Sequence, residues 1–310
     1  MKLAVGFITY KEFSDKYLAD FVPSLLKALQ FLASDDYLVY AWDNSPADCL
    51  QKAALTAYPE LKYQGVGENL GFGRAANIMI RQALQAGAEY FLIVNPDMVL
   101  EPSAIKELVW ALDKDGTLAA AAPKILRWNF AANTKTKQID SVGIVLKTGL
   151  RFRDLGQGTT DQKQFDRQTV IGPSGAAGLF RLTALESIKE GDQYFDERFF
   201  MYKEDCDLDY RLWQAGLKAC LVPEAIIYHD RTAFSQGTGL LSTLRNRRHK
   251  SRQVRLWSHL NEHLIYVKHW PSQNLVSRIF IIIRVLSILI FSLMLEQFLL
   301  KNYRLIKKRP

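Results

Sequence analysis

The first third of the chain alternates between short apolar runs and segments whose apolar residues recur with helical spacing. The runs that predict strands are residues 3–10, 37–42 and 90–94, and the segments that predict helices are residues 17–32, 49–58, 74–86 and 103–112. Strands and helices that take turns favour a mainly parallel sheet with helices on both faces. Because ligands of such sheets bind beyond the carboxyl ends of the strands, the residues that follow each run are the first candidates for a site.

Composition excludes several whole-chain architectures. Of the 310 residues, 48% are hydrophobic and 23% are charged, which is typical of a globular protein and not of a disordered, collagen-like or coiled-coil chain. The length predicts one large domain, or one large and one small, since domains hold roughly 150 residues. Cys49, Cys206 and Cys220 are widely spaced, which argues against a disulfide framework or a zinc site and favours a reducing, cytoplasmic location.

Charge is distributed unevenly along the chain. Residues 231–310 contain 15 Lys and Arg but only two acids, a balance of +13. Residues 1–230 contain 25 Lys and Arg against 30 acids, a balance of −5. The sequence therefore predicts an acidic body joined to a basic C-terminal part, and such clusters of cations are attracted by anionic lipid headgroups.

The basic part also contains a strongly apolar segment, residues 275–300, which is interrupted by Arg278, Arg284 and Glu296. Its longest stretch without charge, residues 285–295, has eleven residues, whereas a bilayer span needs about 20. The segment therefore predicts a helix that lies in a membrane interface or packs on a second subunit, and the sequence favours neither of the two.

Polar residues follow three of the predicted strands. Thr9 and Tyr10 end the first. Asp43 follows the second, where its carboxylate would accept a hydrogen bond from the imide N–H of uracil or thymine, or would form a turn. Asp97 follows the third, with Asn95 two positions earlier. A carboxylate there would hold Mg²⁺ or Mn²⁺ against a diphosphate, and the alternative is again a turn.

Two segments are rich in glycine and small residues. Residues 68–77 open a helix after Gly71, and exposed backbone N–H groups with Arg74 nearby suit a phosphate or a sugar ring. The alternative is a plain helix start, since the segment is neither the dinucleotide fingerprint nor a P-loop. Residues 172–178, which include Gly175, allow the backbone to approach a ligand or another strand closely.

Four acids lie within six positions directly after a run of aromatic residues: Glu204, Asp205, Asp207 and Asp209. Such crowding either faces solvent or cations, or it raises the pKa of one carboxylate, which then serves as a base. Residues 204–215 predict a helix, with acids in its first turn and Gly216 as its stop signal. His229 ends another apolar strand, where a lone histidine is either structural or a ligand.

Taken in order, these segments resemble the inverting glycosyltransferases of family 2 with a GT-A fold, and they look closest to the bacterial rhamnosyltransferases of cell-wall and capsule polysaccharide synthesis. The matching pieces, within about residues 1–270, are residues 6–10, 43–45, 69–77, 95–97, 172–178 and 204–208, followed by Arg211 and Gly216. The resemblance implies a Rossmann-like α/β catalytic domain over residues 1–240. It leaves residues 241–310 as a helical extension for membrane association or oligomerisation.

The resemblance also implies a role for each candidate residue. The donor nucleotide sugar would contact Thr9, Tyr10, Asp43, Asn69, Gly71, Arg74, Asn95 and Gly175. Asp97 and His229 would hold Mn²⁺ or Mg²⁺, although Asn95 stands where the family usually has the first acid of Asp-x-Asp, which predicts weak metal affinity. Asp205 would be the general base, with Glu204 as the alternative, and Asp207 would lie on the acceptor side.

The implied reaction is the transfer of L-rhamnose, with inversion, from dTDP-β-L-rhamnose to a lipid-linked saccharide in bacterial cell-surface polysaccharide synthesis. The enzyme would be peripheral at the inner face of the cell membrane. A UDP-hexose-dependent transferase of the same fold is one alternative, and a non-catalytic membrane-associated adaptor is another. A sugar-nucleotide-forming nucleotidyltransferase would need a glycine-rich basic loop after the first strand, which residues 9–13 lack. Nucleic acid is not expected, because the cations flank an apolar segment instead of alternating with aromatics.

Overall fold

The N-terminal half of the chain forms four parallel strands. The computed structural model describes residues 1–49, 55–231 and 251–300. The order β3-β2-β1-β4 joins β1 (Leu3–Thr9), β2 (Tyr37–Asp43), β3 (Leu61–Gly65) and β4 (Tyr90–Val94), and each neighbouring pair is parallel. Successive side chains of a strand point to opposite faces, so β1, β2 and β4 each contribute to two hydrophobic cores, and β3 contributes to one of them.

Three helices cover both faces of these strands, as the alternating sequence pattern predicts. They are α1 (Lys11–Leu29), α2 (Phe72–Gln85) and α3 (Ala104–Lys114). α1 and α3 bury their apolar side chains in one core, and α2 packs Met79 and Ile80 in the other. Gly6 in β1 allows this second core to close, since a Cβ there would lie 2.6 Å from the Phe91 ring. The helix predicted over residues 49–58 falls partly outside the described residues.

The other half of the sheet is mixed. Beyond β4 the order continues through β10 (Ala177–Arg181), β6 (Leu118–Asn129), β11 (Lys218–His229) and β5 (Met98–Leu100), and β7 (Thr134–Ser141) pairs with β6. β10 is antiparallel to both of its neighbours, whereas β11 runs parallel to β6. The α/β class is confirmed. The prediction of parallel pairing holds across the first four strands, and the antiparallel strands β10, β5 and β7 make the rest of the sheet mixed.

This strand order brings separate chain segments to one edge of the sheet. β4 ends at Val94, opposite Ala177 at the start of β10. β11 ends at His229, opposite Met98 at the start of β5. The segments that follow β4, precede β10 and end β11 therefore meet at the edge where ligands of α/β sheets bind.

A two-stranded ribbon lies outside the main sheet, within the region that the sequence predicts as loops or a ribbon. It pairs β8 (Ile144–Lys147) with β9 (Arg151–Asp154) in antiparallel register. Gly149 in its turn has a φ of +79°, a left-handed conformation that favours glycine. The ribbon packs through Ile144 and Leu150 on a third core, which also contains Tyr210 and Leu264.

Four further helices complete the described structure: α4 (Leu182–Ile188), α5 (Glu204–Gln214), α6 (Arg252–His269) and α7 (Leu275–Leu295). α5 matches the helix predicted over residues 204–215, and Gly216 follows it with a φ of +76°. Ser251 caps α6 by accepting the N–H of Val254, and Asn274 caps α7 by accepting the N–H of Ser277. Both are side chains of the kind preferred at helix N-termini.

Helix α6 packs on the main body of the chain, at the residues around the start of α5. The side-chain amide of Asn261 donates hydrogen bonds to the carbonyls of Met201 and Tyr202. Near the end of α6, Lys268 and His269 both bind the carboxylate of Asp207. Although the sequence assigns α6 to an extension that begins at residue 241, the helix is anchored to the main body by buried polar contacts.

α7 is long and apolar enough, by length and composition, to cross a membrane. It has 21 residues, or about 31 Å at 1.5 Å per residue. Only Ser277, Ile281 and Ser292 are buried, so the helix is not the core helix of a soluble domain.

Candidate active site

A cavity of about 350 Å³ opens at the carboxyl edge of the sheet. Nine of the residues that the sequence singles out line it: Tyr10, Asn69, Gly71, Asn95, Asp97, Gly175, Glu204, Asp205 and His229. They come from the ends of β1, β4 and β11, the segment before β10, the loop before α2 and the first turn of α5. The sheet order thus gathers most of the predicted site into one pocket.

Two predicted donor-binding residues lie beneath this pocket and not in its wall. Thr9 and Asp43 are neighbours in the β1–β2 register, and both are fully buried. One oxygen of Asp43 accepts the N–H of Ser45 at 2.9 Å, and the other accepts the hydroxyl of Tyr63 at 3.1 Å. Burial and the Asp43 charge raise the pKa of Tyr63 to about 12. The contact between Asp43 and Ser45 is the turn that the sequence offers as the alternative for this carboxylate.

The loop before α2 is held in place by two asparagines. Asn69 accepts the N–H of Gly71 at 2.9 Å. Asn44 accepts the N–H of Leu70 at 3.2 Å and donates to the carbonyl of Gly71 at 3.1 Å. Gly71 has a φ of +80°, and a Cβ there would lie 2.6 Å from the carbonyl oxygen of Phe200. Asn44 lines the pocket and is a site residue whose role the sequence reasoning missed.

Arg74, predicted to lie along the diphosphate, does not line the pocket described above. Its side chain is 57% exposed, and its Nε lies 3.8 Å from a carboxylate oxygen of Glu197. This placement follows from the helix: Arg74 lies on the outer face of the first turn of α2, whereas Ala75 and Ala76 are buried.

Asp97 and His229 form the pair predicted to hold a metal ion. His229 Nε2 lies 3.3 Å from one oxygen of Asp97, and His229 Nδ1 lies 2.7 Å from Asp140. Burial alone would lower the pKa of His229, but the charges of Asp97 and Asp140 raise it to about 9. The second oxygen of Asp97 is buried and makes no hydrogen bond within the described structure.

The residues around this pair fit a divalent cation. A carboxylate bonded to one ring nitrogen of a histidine is the usual way to orient the other nitrogen toward a metal, and Asp140 holds that place. Binding a metal would displace the proton that His229 otherwise carries. Among the described residues, no group of three or more His, Cys, Asp or Glu is placed to bind one ion. Further ligands would therefore come from a diphosphate or water.

Arg231 adds a positive charge to the pocket wall that the sequence reasoning did not identify. Its guanidinium lies 3.4 Å from an oxygen of Asp140 and 3.2 Å from one of Asp154. Burial alone raises the pKa of Asp140, but the hydrogen bond from His229 and the charges of Arg231 and Arg127 lower it overall. Asp140 therefore remains charged and orients both His229 and Arg231.

Asp205 and Glu204 occupy different environments although they are adjacent. One oxygen of Asp205 accepts the N–H of Gly175 at 2.9 Å, and the other accepts the N–H of Cys206 at 2.7 Å. Glu204 is 6% exposed, and one of its oxygens makes no hydrogen bond in the described structure. Burial, together with the Asp205 charge, raises the pKa of Glu204 well above its usual range. Burial thus disfavours the charged form of Glu204, whereas the carboxylate of Asp205 is held by two backbone N–H groups and remains the base candidate.

The backbone before these acids is strained. Tyr202 and Lys203 have φ values of +73° and +70°, which are unfavourable for residues with side chains. Asn261 of α6 donates hydrogen bonds of 2.8 and 2.7 Å to the carbonyls of Met201 and Tyr202. Strain of this kind persists at functional sites when the surroundings hold it in place, as Asn261 does here.

Asp207 requires a correction, because it does not face the pocket. It is fully buried and is contacted by His269 Nε2 at 2.8 Å, Arg211 Nε at 2.9 Å and Lys268 Nζ at 3.0 Å. Burial opposes its ionisation, but the His269 hydrogen bond and the charges of Arg211 and Lys268 lower its pKa overall. Asp207 anchors α6, and its position does not support the predicted contact with an acceptor.

Asp209, the fourth acid of the run, is also buried, and it packs against Gly172. The close approach leaves no room for a Cβ at Gly172, which explains one of the small residues in this segment. Burial and the Asp205 charge raise the pKa of Asp209 well above its usual range. Of the four acids in the run, Glu204 and Asp205 therefore line the pocket, and Asp207 and Asp209 are buried away from it.

The fold is that of a GT-A-type sugar transferase, and Asp205 lines the same pocket as Asp97 and His229 at the edge of the sheet. The model of glycosyl transferase family 2 matches residues 5–189. Since this is more than half of the chain, the protein belongs to glycosyl transferase family 2, as its ordered motifs predict.

Two curated relatives have similar sequences. The chain is 30% identical over 206 residues to the N-acetylglucosaminyl-diphospho-decaprenol L-rhamnosyltransferase of Mycobacterium tuberculosis, covering 61% of this chain and 65% of that enzyme. It is 26% identical over 212 residues to a low-salt glycan biosynthesis hexosyltransferase of Haloferax volcanii, covering 66% of this chain and 64% of the relative. The matches thus span slightly less than two thirds of each relative.

Solved structures agree on the fold. S. aureus TarS 1–349 superposes with a TM-score of 0.50 at 20% identity, covering 74% of this chain and 60% of the TarS chain. A longer TarS structure gives a TM-score of 0.51 at 18% identity, covering 75% of this chain and 37% of TarS. At such identities the likeness concerns the arrangement of strands and helices alone.

Proposed function

We propose that this protein transfers L-rhamnose from dTDP-β-L-rhamnose, with inversion, to a lipid-linked saccharide. The observation that carries the proposal is the position of Asp205, which lies in the same cavity as Asp97 and His229. Support for the sugar and the acceptor comes from the M. tuberculosis relative, whose name specifies rhamnosyl transfer to N-acetylglucosaminyl-diphospho-decaprenol.

In the proposed reaction, Asp205 takes the proton from the acceptor hydroxyl while the oxygen attacks the anomeric carbon. The new bond from that oxygen to the sugar forms as the bond from the anomeric carbon to the diphosphate breaks on the opposite face. The nucleoside diphosphate leaves with the bonding electron pair. A general base of this kind contributes about 10²–10⁴-fold to the rate.

The rest of the pocket binds the donor and offsets charge on its diphosphate. Asp97 and His229 would hold Mn²⁺ or Mg²⁺, which supplies Lewis-acid stabilisation of the leaving diphosphate when bound. Arg231 adds a fixed positive charge in the same wall. Tyr10, Asn69 and Asn95 line the pocket and offer polar contacts to the nucleotide and the sugar.

A UDP-hexose is the second candidate donor. The specific observation in its favour is the H. volcanii relative, which is named as a hexosyltransferase. A non-catalytic adaptor is disfavoured, since it would have no use for an oriented carboxylate in a pocket with a buried carboxylate–histidine pair.

The enzyme is proposed to act at the cytoplasmic face of the cell membrane, to which it binds peripherally. A lipid-linked acceptor is confined to that surface, and the balance of +13 over residues 231–310 favours attraction to anionic lipids. As an alternative to membrane binding, the apolar face of α7 would join two copies of the chain.

The test is donor turnover with the purified full chain in Mn²⁺ or Mg²⁺. The donors are dTDP-rhamnose, UDP-glucose, UDP-galactose and UDP-N-acetylglucosamine, and the acceptor is a synthetic polyprenyl-linked N-acetylglucosaminyl diphosphate. Transfer from dTDP-rhamnose alone is the expected result. Transfer from a UDP-sugar alone would replace the donor, and absence of both transfer and nucleoside diphosphate binding would favour the adaptor.

A further inference from the structure

α7 presents an apolar surface that the described part of the chain leaves uncovered. Twelve of its 21 side chains are large, apolar and exposed, and among them Leu275 and Met294 are 74% and 75% exposed. Soluble monomers rarely expose contiguous apolar patches of this extent, which normally mark a contact with a membrane or another protein.

The opposite side of α7 is attached to α6 along most of its length. Near one end Arg255 Nη1 lies 2.7 Å from Glu296, and in the middle Arg284 Nε lies 3.1 Å from Glu262. Three residues before Arg284, Ile281 is buried in the core that also contains Leu264. Because α6 carries these charges and is itself anchored on Asp207, α7 cannot enter the hydrocarbon lengthwise without taking charged α6 residues with it. Burying such charges in a bilayer is costly.

The turn of the β8–β9 ribbon lies beside α7 and adds cations to the same surface. A Cβ on Gly149 would lie 2.8 Å from Phe280, so the turn touches the helix directly. Lys147 and Arg151 face each other across the ribbon at this turn, and both are exposed. Neither forms an ion pair with any residue that the structure describes, so both charges are free to meet anionic groups.

We propose that α7 and the turn of the β8–β9 ribbon form one surface that lies flat on an anionic bilayer, with α7 parallel to the membrane plane. The uncovered side chains of α7 enter the boundary between headgroups and acyl chains, as in amphipathic interfacial helices. Lys147 and Arg151 bind the lipid phosphates. Their position beside an uncovered apolar helix favours a charged lipid surface over a second copy of the chain.

This surface lies one helix away from the catalytic pocket. Adjacent residues of α6 make the two connections: Asn261 binds the pocket wall at Tyr202, and Glu262 binds α7 at Arg284. The placement holds the pocket close to the membrane, where a lipid-linked acceptor resides. Of the statements about this surface, this one alone rests on the proposed function.

Vesicle binding tests the surface without any substrate. The full chain is sedimented with vesicles of phosphatidylcholine alone, or of phosphatidylcholine with about a third phosphatidylglycerol. The anionic lipid attracts each cation at the surface by about 1 kcal/mol. We expect the wild type to bind the anionic vesicles. The double variant Lys147→Ala/Arg151→Ala, which removes two cations, should bind about thirtyfold more weakly. The matched variant Lys27→Ala/Lys106→Ala, at exposed positions of α1 and α3, should bind like the wild type.

Substitution of the apolar face separates lipid from a second copy. Ile283→Ser/Ile290→Ser removes two exposed apolar side chains of α7 and should reduce binding to both kinds of vesicle. Transfer to a soluble acceptor should not change, which distinguishes loss of the surface from loss of the proposed reaction. If this variant binds vesicles normally but turns a dimer into a monomer in sedimentation, the surface joins two copies and the proposal is wrong.

Orientation is tested by labelling single cysteines in a Cys49→Ser/Cys220→Ser background. Val267→Cys on α6 and Gln297→Cys beyond α7 are both at exposed positions. On sealed vesicles, a membrane-impermeant maleimide added outside should label both, because a helix in the membrane plane leaves both ends on one side. Protection of the cysteine at position 297 alone would show a spanning helix and overturn the orientation.

Discussion

The carboxylate of Asp205 accepts a hydrogen bond of 2.9 Å from the backbone N–H of Gly175. The contact joins the first turn of α5 to the segment before β10, two elements that are 30 residues apart. A Cβ on Gly175 would lie 2.9 Å from the same oxygen, so a larger residue would push the carboxylate away. Glycine at this position thus sets where the proposed base stands in the pocket.

The two adjacent acids are expected to respond differently to isosteric substitution. Asp205→Asn should lower kcat by about 10²–10⁴-fold while the affinity for the nucleoside diphosphate stays unchanged, because only the proton acceptor is lost. Glu204→Gln is the matched control. Burial disfavours the charged form of Glu204 and raises its pKa, so this neutral replacement should retain most activity. Steady-state kinetics and calorimetry measure the two effects, and the reverse pattern would make Glu204 the base.

Arg231 is expected to act on donor affinity. Arg231→Gln should weaken nucleoside diphosphate binding about tenfold or more, since a hydrogen bond to a charged group contributes about 1.5–3 kcal/mol. Arg127→Gln is the control, because Arg127 also approaches Asp140, at 3.7 Å, but does not line the pocket. Equal losses of affinity in both variants would mean that the effect passes through Asp140 and not through contact with the donor.

Metal removal is expected to abolish transfer and to weaken donor binding. Treatment with a chelator should reduce nucleoside diphosphate affinity in the wild type, and added Mn²⁺ or Mg²⁺ should restore it. In Asp97→Asn the metal should make no difference to that affinity, because one of the two protein ligands is altered. Calorimetric titration with and without the metal measures this directly. Metal-independent binding and transfer by the wild type would contradict the role of Asp97 and His229.

Asp207 is expected to contribute stability and not chemistry. Asp207→Asn should lower the free energy of unfolding at pH 7 by about 3–5 kcal/mol, since it leaves the buried cations of α6 and Arg211 unbalanced. The folded-state pKa of Asp207 is lowered, so its contribution is complete above the unfolded pKa of about 4 and is lost as the pH falls through the lower folded value.

The gap between wild type and Asp207→Asn should therefore shrink steadily below about pH 4. Urea unfolding at pH 7 and at lower pH values measures the gap. Asp35→Asn, at an exposed position, should leave stability within about 0.5 kcal/mol of the wild type. A gap that stays constant over the whole pH range would show that the charge of Asp207 is not what anchors α6.

The sequence by itself determined the alternation of strands and helices in the first half, the ends of α5, and the family through its ordered motifs. These features are local. A strand end or a helix start depends on neighbouring residues. The sequence alone therefore identifies Asn95, Asp97, Asp205 and Gly175 as candidate site residues.

Only the tertiary structure decided which polar groups meet. Asp140 reaches His229 across 89 positions, and Asp154 reaches Arg231 across 77, so no local spacing signals the support of the proposed metal pair. Asp207 shares the acidic run with Asp205, yet the turn of the helix points it away from the pocket to Lys268 and His269. Two carboxylates of one short run can be told apart only by long-range packing, which places Asp205 in the pocket wall and binds Asp207 to α6.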